Sequence, residues 1–337
     1  MKIFYVGPLW EGGTALERMK MLNHLGHEVI PFDTTPFMSM TPRLLLSIAG
    51  KFNVGPVLQA INRALRDKVH NVKGISHIWI DKGLWVYPET LLHLKQHTGA
   101  IAIHYTPDSH FYTQRSRHFF SCIPIYDRLV TTKEWEIESY KNAGAKNVVL
   151  TYQGYDERFY PRTLEESEFA LYDSDVCFIG HTQKHYADRL KSISSLGVKL
   201  RVWGDAWPQF MKKRSWAKSV VVGKGLWGQS YPKALSCAKI GLGLLGKHIP
   251  ETSTTRTFEI PAMGTFLLAE RTTIHQSLFD EGKEAEFFAS DEEMLDKIRY
   301  YLAHDNERRK LALAGQIRCK RSGYSSVELL RKIISTL

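Results

Sequence analysis

One segment gathers side chains with chemical reach: Glu251-Thr-Ser-Thr-Thr-Arg256-Thr-Phe-Glu259-Ile-Pro261-Ala-Met-Gly264. It follows an apolar run, residues 240–245, that reads as a buried strand. Pro261 has no backbone N–H and belongs near the first turn of a helix, so a helix is expected to begin close to Thr257. Arg256 and Glu259 then stand at its amino end, where free N–H groups and the helix dipole attract anions. A guanidinium is a planar cation matched to phosphate oxygens, and it can neutralise charge growing on a departing diphosphate. The Glu259 carboxylate can accept from paired hydroxyls such as those of a ribose, and Glu251 in the preceding loop can reach a sugar. The same residues would also suit a Ser/Thr-capped surface helix with an incidental ion pair.

Other positions carry weaker signals. Gly180-His181-Thr-Gln-Lys184 follows the apolar run 175–179, and Arg189 lies on the helix expected next. His181 and His185 have the i, i+4 spacing of a metal pair. Thr stands where the glutamate of HExxH would be, so a loop histidine near phosphate, or a solvated one, is expected and no metal site is. In the first half, Gly7-Pro-Leu-Trp-Glu-Gly12-Gly13-Thr14 almost spells a P-loop, but Gly13 occupies the lysine position, which excludes that ATPase chemistry. GxGxxG is absent too. Gly12 and Gly13 remain either a turn that offers backbone N–H groups to a ligand or simply a tight βα turn. His104-Tyr-Thr-Pro-Asp108-Ser-His110 closes another apolar run; Asp108 and His104 are candidates to contact an acceptor or act as a base, with a turn Asp after Pro as the alternative. Trp203, Trp207, Trp216 and Trp227 with Lys212-Lys-Arg214 could stack bases, but core aromatics beside a solvated basic turn are the expected reading.

These positions need a scaffold, and the sequence supplies one. Short apolar runs at 2–6, 28–32, 75–80, 100–105, 128–131 and 147–150 alternate with helical periods, and a second such series starts at 175. Residues 36–70 are less regular; they read as helical and partly amphipathic, with Pro and Gly breaks. Turn residues without periodicity fill 152–164, which marks a boundary. The 337 residues suffice for two α/β domains. We expect a Rossmann-like domain over 1–160, a second over 161–320, and a helix over 321–337 that crosses back to the first. That helix carries Val327, Leu330, Ile333 and Ile334 at helical spacing, and they need a partner surface. Ligands of open parallel sheets bind beyond the carboxyl ends of the strands, which directs attention to the loops listed above.

The formal charge of +10 favours anionic partners: nucleotide diphosphates, nucleic acid or anionic lipid headgroups. The four cysteines lie far apart without CxxC spacing, as in a reducing compartment. No apolar run approaches the roughly 20 residues of a membrane span, and the amino-terminal stretch lacks the form of a signal peptide. A cytoplasmic protein is expected, with peripheral contact at the inner face of the membrane left open.

The segment 251–259 resembles the Glu-x7-Glu region of retaining GT-B glycosyltransferases. Its longer form, Arg256-Thr-Phe-Glu-Ile-Pro-Ala-Met-Gly264, resembles the CgeB-like subgroup (glycosyl transferases group 1). Gln153-Gly-Tyr-Asp-Glu-Arg-Phe-Tyr-Pro161 is similar to that family's crossover motif, and Glu286-Phe-Phe-Ala-Ser-Asp-Glu-Glu293 fits as well. The resemblance implies the GT-B fold, two Rossmann-like domains facing each other across a cleft, and transfer of a sugar from a nucleotide-diphosphate donor. It implies Glu259 at the ribose, Glu251 at the donor sugar and Arg256 beside the diphosphate. Gly180, His181, Lys184 and Arg189 would line the phosphates, and Gly12 and Gly13 would form the first loop. No cofactor is implied beyond the donor, and without an Asp-x-Asp motif the reaction would be metal-independent. An inverting enzyme would need a base, and Asp108 could serve. The acceptor stays open: a glycan, a lipid-linked glycan, a protein or a small molecule. Two other readings remain: a nucleotide-sugar epimerase on the same fold, and a basic non-catalytic module for nucleic acid or anionic membrane. The acids Glu251 and Glu259 argue against the module, and nucleic acid is not expected.

Overall fold

The computed structural model describes residues 1–157, 164–212 and 214–335, and in them the apolar runs become two six-stranded sheets. The first sheet holds β1 (Lys2–Gly7), β2 (Glu28–Asp33), β3 (His77–Asp81), β4 (Ile101–Thr106), β5 (Arg128–Thr131) and β6 (Val148–Leu150). The second holds β7 (Ser174–Ile179), β8 (Leu200–Trp203), β9 (Val221–Gly223), β10 (Ala238–Gly243), β11 (Phe266–Glu270) and β12 (Glu286–Phe288). Their orders are β2-β1-β3-β4-β5-β6 and β12-β11-β10-β7-β8-β9, with every pair parallel. β3 and β11 are buried along their whole length, as helix cover on both faces requires. In each sheet the order reverses between two neighbours, β1 and β3 in the first, β7 and β10 in the second. Loops diverge at such switch points and leave a crevice beyond the strand ends.

The chain divides into two compact units, Met1–Tyr152 with Leu329–Leu337, and Gln153–Glu328. The last helix, Ser326–Ser335, thus joins the first unit from Leu329 onward. It buries Leu329, Leu330 and Ile333, each contributing about 1.5–3 kcal/mol, and the Arg128 guanidinium donates to the Ile333 carbonyl at 3.3 Å. Tyr155 and Ser325 form an isolated parallel bridge, with Tyr155 N–H donating to Tyr324 O (3.2 Å) and Ser326 N–H to Tyr155 O (2.8 Å). The outgoing and returning segments are therefore paired. The rest of the crossover motif, Arg158 to Pro161, lies outside the described residues, as do Lys213, Thr336 and Leu337.

As expected, residues 36–70 are mostly helical: Thr35–Ser39, Arg43–Phe52 and Pro56–His70. The last of these sends Val57, Leu58, Ile61, Leu65 and Val69 into the core. The strand read at 240–245 starts earlier, at Ala238. Pro261 lies inside the helix Arg256–Ala262 instead of in its first turn. Its ring packs toward Gly315, where an added Cβ would come within 3.3 Å of the Pro261 Cβ, so close helix packing holds a residue that local preference would exclude. Trp203 and Trp207 are buried and Trp216 packs against the same core, while Trp227 is 61 % exposed. The four cysteines are buried and unpaired. Among the described residues no single helix is long and apolar enough to cross a membrane.

Candidate functional site

Arg256 opens its helix directly at the β7/β10 switch point. Its Nη2 donates to the Leu244 carbonyl at 2.7 Å and its Nη1 to the Ile179 carbonyl at 3.3 Å. The guanidinium therefore spans the carboxyl ends of both strands, and its Cζ lies 5.3 Å from the centre of the Phe178 ring. Its Nε is buried without a hydrogen-bond partner. Gly180 leaves the room for this side chain, since a Cβ there would come within 2.7 Å of Nη1. Carbonyl oxygens are neutral, so these hydrogen bonds orient the cation without cancelling its charge.

Glu259 lies one turn further along the helix. The Tyr231 hydroxyl, from the helix Ser230–Ser236, donates to its Oε2 at 2.5 Å. Burial raises the Glu259 carboxyl above its ordinary range, against the opposing pull of the Tyr231 hydrogen bond and the Arg256 charge. The Tyr231 and Thr255 side chains both hydrogen-bond the carboxylate and fix its direction. Glu251 stands at the start of the loop, where its Oε2 accepts the Gly246 N–H at 2.8 Å and closes the turn after β10.

Local anchoring comes from Thr257. Its Oγ1 accepts the Thr254 N–H at 3.1 Å and lies 2.9 Å from His275 Nε2. His275 Nδ1 is 2.6 Å from the Glu270 carbonyl. One tautomer satisfies all three: Nδ1–H donates to the carbonyl and Nε2 accepts the Thr257 hydroxyl. Burial lowers the His275 pKa, which keeps the ring neutral in that role. The helix carrying Arg256 and Glu259 is thus tied to the end of β11.

The other expected residues separate. His181 and Lys184 are exposed on the loop and first turn after β7, and His185 Nε2 lies 2.9 Å from the Leu245 carbonyl. Arg189 is paired with Glu270 (2.8 Å) and Asp291 (2.8 Å) and is mostly buried. Glu270 also accepts the Leu245 N–H at 2.7 Å and pairs with Lys247 at 2.5 Å. Burial pushes the Glu270 carboxyl up, but Lys247, the Leu245 N–H and Arg189 outweigh it and hold the group below its ordinary range. Arg189 therefore fixes the loop after β10 from behind.

In the first unit, Gly13 N–H donates to Trp10 O at 2.9 Å and Gly12 has φ 81°, so the pair forms a turn that leads into the helix Thr14–His24. Asp108, just past β4, pairs with Lys82 at 2.7 Å and accepts from Gln114 at 3.0 Å. His104 is buried, its Nε2 sits 3.0 Å from the Lys82 carbonyl, and burial pushes its pKa down to about 4, so it is a neutral core histidine. A group missed from the sequence fills the β1/β3 switch point: Arg18 Nε pairs with Asp81 Oδ2 at 2.8 Å, and the Tyr5 hydroxyl donates to the same oxygen at 2.8 Å. Arg18 also lies 3.8 Å over the Tyr105 ring. Tyr231, Glu270 and Asp81 were all invisible in the sequence because each acts through a partner far away in the chain.

Residues 184–335 match the family model described as glycosyl transferase-like. No curated protein sequence matches the chain. Solved structures do resemble it along its whole length. Anabaena Alr3699/HepE in complex with UDP-glucose superposes with a TM-score of 0.70 at 12 % identity, covering 100 % of this chain and 99 % of that one. A sucrose-phosphate synthase from Thermosynechococcus elongatus gives 0.69 at 13 %, covering 100 % and 98 %. A glycosyltransferase from Rickettsia africae gives 0.67 at 14 %, covering 99 % and 97 %. The chain has the GT-B fold. Within this GT-B chain the matched segment takes in Lys184, Arg189, Glu251, Arg256 and Glu259 and begins just after Gly180 and His181.

Proposed function

We propose that the chain is a glycosyltransferase that moves a sugar from a nucleotide-diphosphate donor to an acceptor hydroxyl. The observation that carries this reading is Arg256 at the β7/β10 switch point, held by the Ile179 and Leu244 carbonyls and one turn from Glu259. In the reaction the bond from the anomeric carbon to the diphosphate oxygen breaks, the acceptor oxygen forms its own bond to that carbon, and the acceptor's proton passes to the departing diphosphate. Negative charge grows on the diphosphate, and a fixed cation stabilises it without a metal ion. Glu259 takes the ribose hydroxyls, Glu251 meets the donor sugar, and Gly180, His181, Lys184 and Arg189 line the phosphates. Asp108, paired with Lys82, is the first-unit carboxylate we assign to the acceptor.

The longer motif around Arg256 supports membership of the CgeB-like subgroup, and the Glu251–Glu259 spacing supports retention. Peripheral membrane contact is supported by the helix Arg43–Phe52 and its flanks, where Met40 (77 % exposed), Leu44 (73 %) and Phe52 (55 %) stand beside Arg43 and Lys51. Co-sedimentation with anionic vesicles decides that point. Cytoplasmic location follows from the same reading.

The donor reading is tested by calorimetry with bare nucleotide diphosphates, uridine diphosphate first because of the Anabaena complex. Glu259→Gln should weaken binding of the preferred diphosphate by about 1–3 kcal/mol, the cost of a poorly replaced charged acceptor. Equal affinity in parent and variant would remove Glu259 from the ribose site.

A further inference from the structure

The first unit carries an apolar helix that its own core barely uses. Residues 34–66 hold no Asp or Glu, and their charged side chains are Arg43, Lys51, Arg63 and Arg66. Within them the helix Arg43–Phe52 reads Arg-Leu-Leu-Leu-Ser-Ile-Ala-Gly-Lys-Phe, yet Ala49 is its one buried residue. Met40 and Leu44 at its start, and Phe52 and Val54 at its end, are exposed, and the Lys51 ammonium stands 5.3 Å from the centre of the Phe52 ring. Arg43 and Lys51 are exposed as well, and no acid of the segment balances them. The interface of an anionic bilayer suits both parts of such a surface: the apolar side chains enter the acyl boundary and the cations stay among the headgroups.

This helix is also joined to the loop that carries Asp108. Its segment leaves the carboxyl end of β2, the same edge of the sheet from which the Asp108 loop leaves β4. Asn53, left-handed at φ 56°, ends the helix and turns its carbonyl to His118, whose Nε2–H donates at 2.8 Å. His118 lies in the helix Arg117–Cys122, which the Asp108 loop enters directly. Ser116 caps that helix: its hydroxyl accepts the Phe119 N–H at 3.4 Å and donates to the Leu84 carbonyl. At the other end of the loop the Asp108 N–H donates to Thr106 Oγ1 at 3.1 Å, and the Asp108 carboxylate is paired with Lys82. Residues 107–116 are thus pinned at both ends, and one of the pins leads to the apolar helix.

We propose that the acceptor is lipid-borne: the helix Arg43–Phe52 lies in the interface of an anionic bilayer, and the Asn53–His118 bond holds the Asp108 loop beside it, within reach of a hydroxyl carried on a membrane lipid. This rests on the glycosyltransferase reading and narrows its acceptor from any hydroxyl to one anchored in the membrane. Enzyme and acceptor then share one surface, and that confinement raises the effective concentration of the acceptor without any new contact. Charge decides between a bilayer and a second copy of the chain as the occupant of this face. A two-fold contact between copies would set the same cations against each other with no acid of the segment to meet them, whereas anionic headgroups neutralise them.

The test has two arms, both with the full chain. In the first, the protein is sedimented with vesicles of phosphatidylcholine, alone or mixed with phosphatidylglycerol. Binding should require phosphatidylglycerol, weaken as salt is added, and fall by at least about 10-fold in Leu44→Glu and in Phe52→Glu. Both side chains are exposed, so the variants should melt with the parent and bind the preferred nucleotide diphosphate equally, which separates loss of docking from loss of fold. In the second arm, a whole extract of the cells that make the chain is incubated with the radiolabelled nucleotide sugars of that diphosphate and then extracted with chloroform and methanol. Label should enter the organic phase, and Leu44→Glu and Phe52→Glu should lower that transfer in step with vesicle binding. Label confined to the water-soluble or protein fractions, or organic-phase label equal in parent and variants, overturns the lipid-borne acceptor. A solution dimer that Leu44→Glu splits, with no vesicle binding by the parent, gives the face to a second copy and overturns it too. No label in any fraction removes the glycosyltransferase reading itself, and the proposal with it.

Discussion

The two switch points hold an arginine each, and they use it in opposite ways. Between β1 and β3, Arg18 is paired with the buried carboxylate of Asp81, helped by Tyr5 and the face of Tyr105. Between β7 and β10, Arg256 rests on two backbone carbonyls. In the first arrangement charge meets charge inside the protein, so the Arg18 cation is balanced by its own carboxylate, although Arg18 Nη2 and Asp81 Oδ1 have no hydrogen-bond partner. The second holds the guanidinium in place while its charge remains available. The same point in the topology thus serves as a structural plug in one sheet and as a candidate anion site in the other. What decides between them is the residue at the end of the neighbouring strand, Asp81 on β3 but a carbonyl after β10.

That contrast can be broken at either end. The largest effect should come from Asp81→Ala, which leaves Arg18 buried and unpaired. Removal of one partner of a buried pair costs about 3–5 kcal/mol, measured by urea unfolding. Replacing both, Arg18→Met with Asp81→Leu, should recover most of it, and a single variant that loses under about 1 kcal/mol would show that the plug is not holding the fold. Arg256→Lys should act on chemistry instead. Lysine keeps a charge but loses the fork, so turnover of nucleotide sugar should fall by about 10²-fold, donor affinity should change less, and the melting temperature should barely move. A fully active Lys variant would mean that only diffuse charge matters at this switch point.

The smallest effect sharpens the picture. The folded state raises the Glu259 carboxyl, so what that group adds to stability is present at low pH and lost as pH rises through its raised value. Glu259→Gln should therefore leave the ligand-free protein as stable at neutral pH, or more stable by up to about 1 kcal/mol, and the gap should close below the ordinary carboxylate range. A marked loss of stability at neutral pH would make Glu259 a structural acid and not one held ready for a ligand.

Much of this scaffold was readable in advance. Buried parallel strands are short continuous apolar runs, and those of the first sheet were recovered nearly to the residue, including the only partly buried edge strands β2 and β6. Arg256 and Glu259 stand out as candidates because a strand, a turn and a helix start lie close together in sequence. Arg189 was harder. The resemblance to a known family implied a phosphate role for it; its partners Glu270 and Asp291 are contributed by β11 and a later helix, and no local pattern links them. Pro261 shows the same limit from another side: its own preference pointed to a first turn, and packing against Gly315 prevailed. The Arg18–Asp81 pair joins residues from separate elements, so only the fold brings it together.

The return of the last helix also has a consequence in time. The first unit includes Leu329, Leu330 and Ile333, yet the whole of Gln153–Glu328 is synthesised before they appear. At roughly 5–20 residues per second that interval is on the order of 10–35 s. Throughout it the nascent first unit carries an uncovered apolar seat for a helix not yet made. The unit that begins emerging first is therefore the one finished last, and its vulnerable period on the ribosome is set by the length of its neighbour, not by its own folding rate.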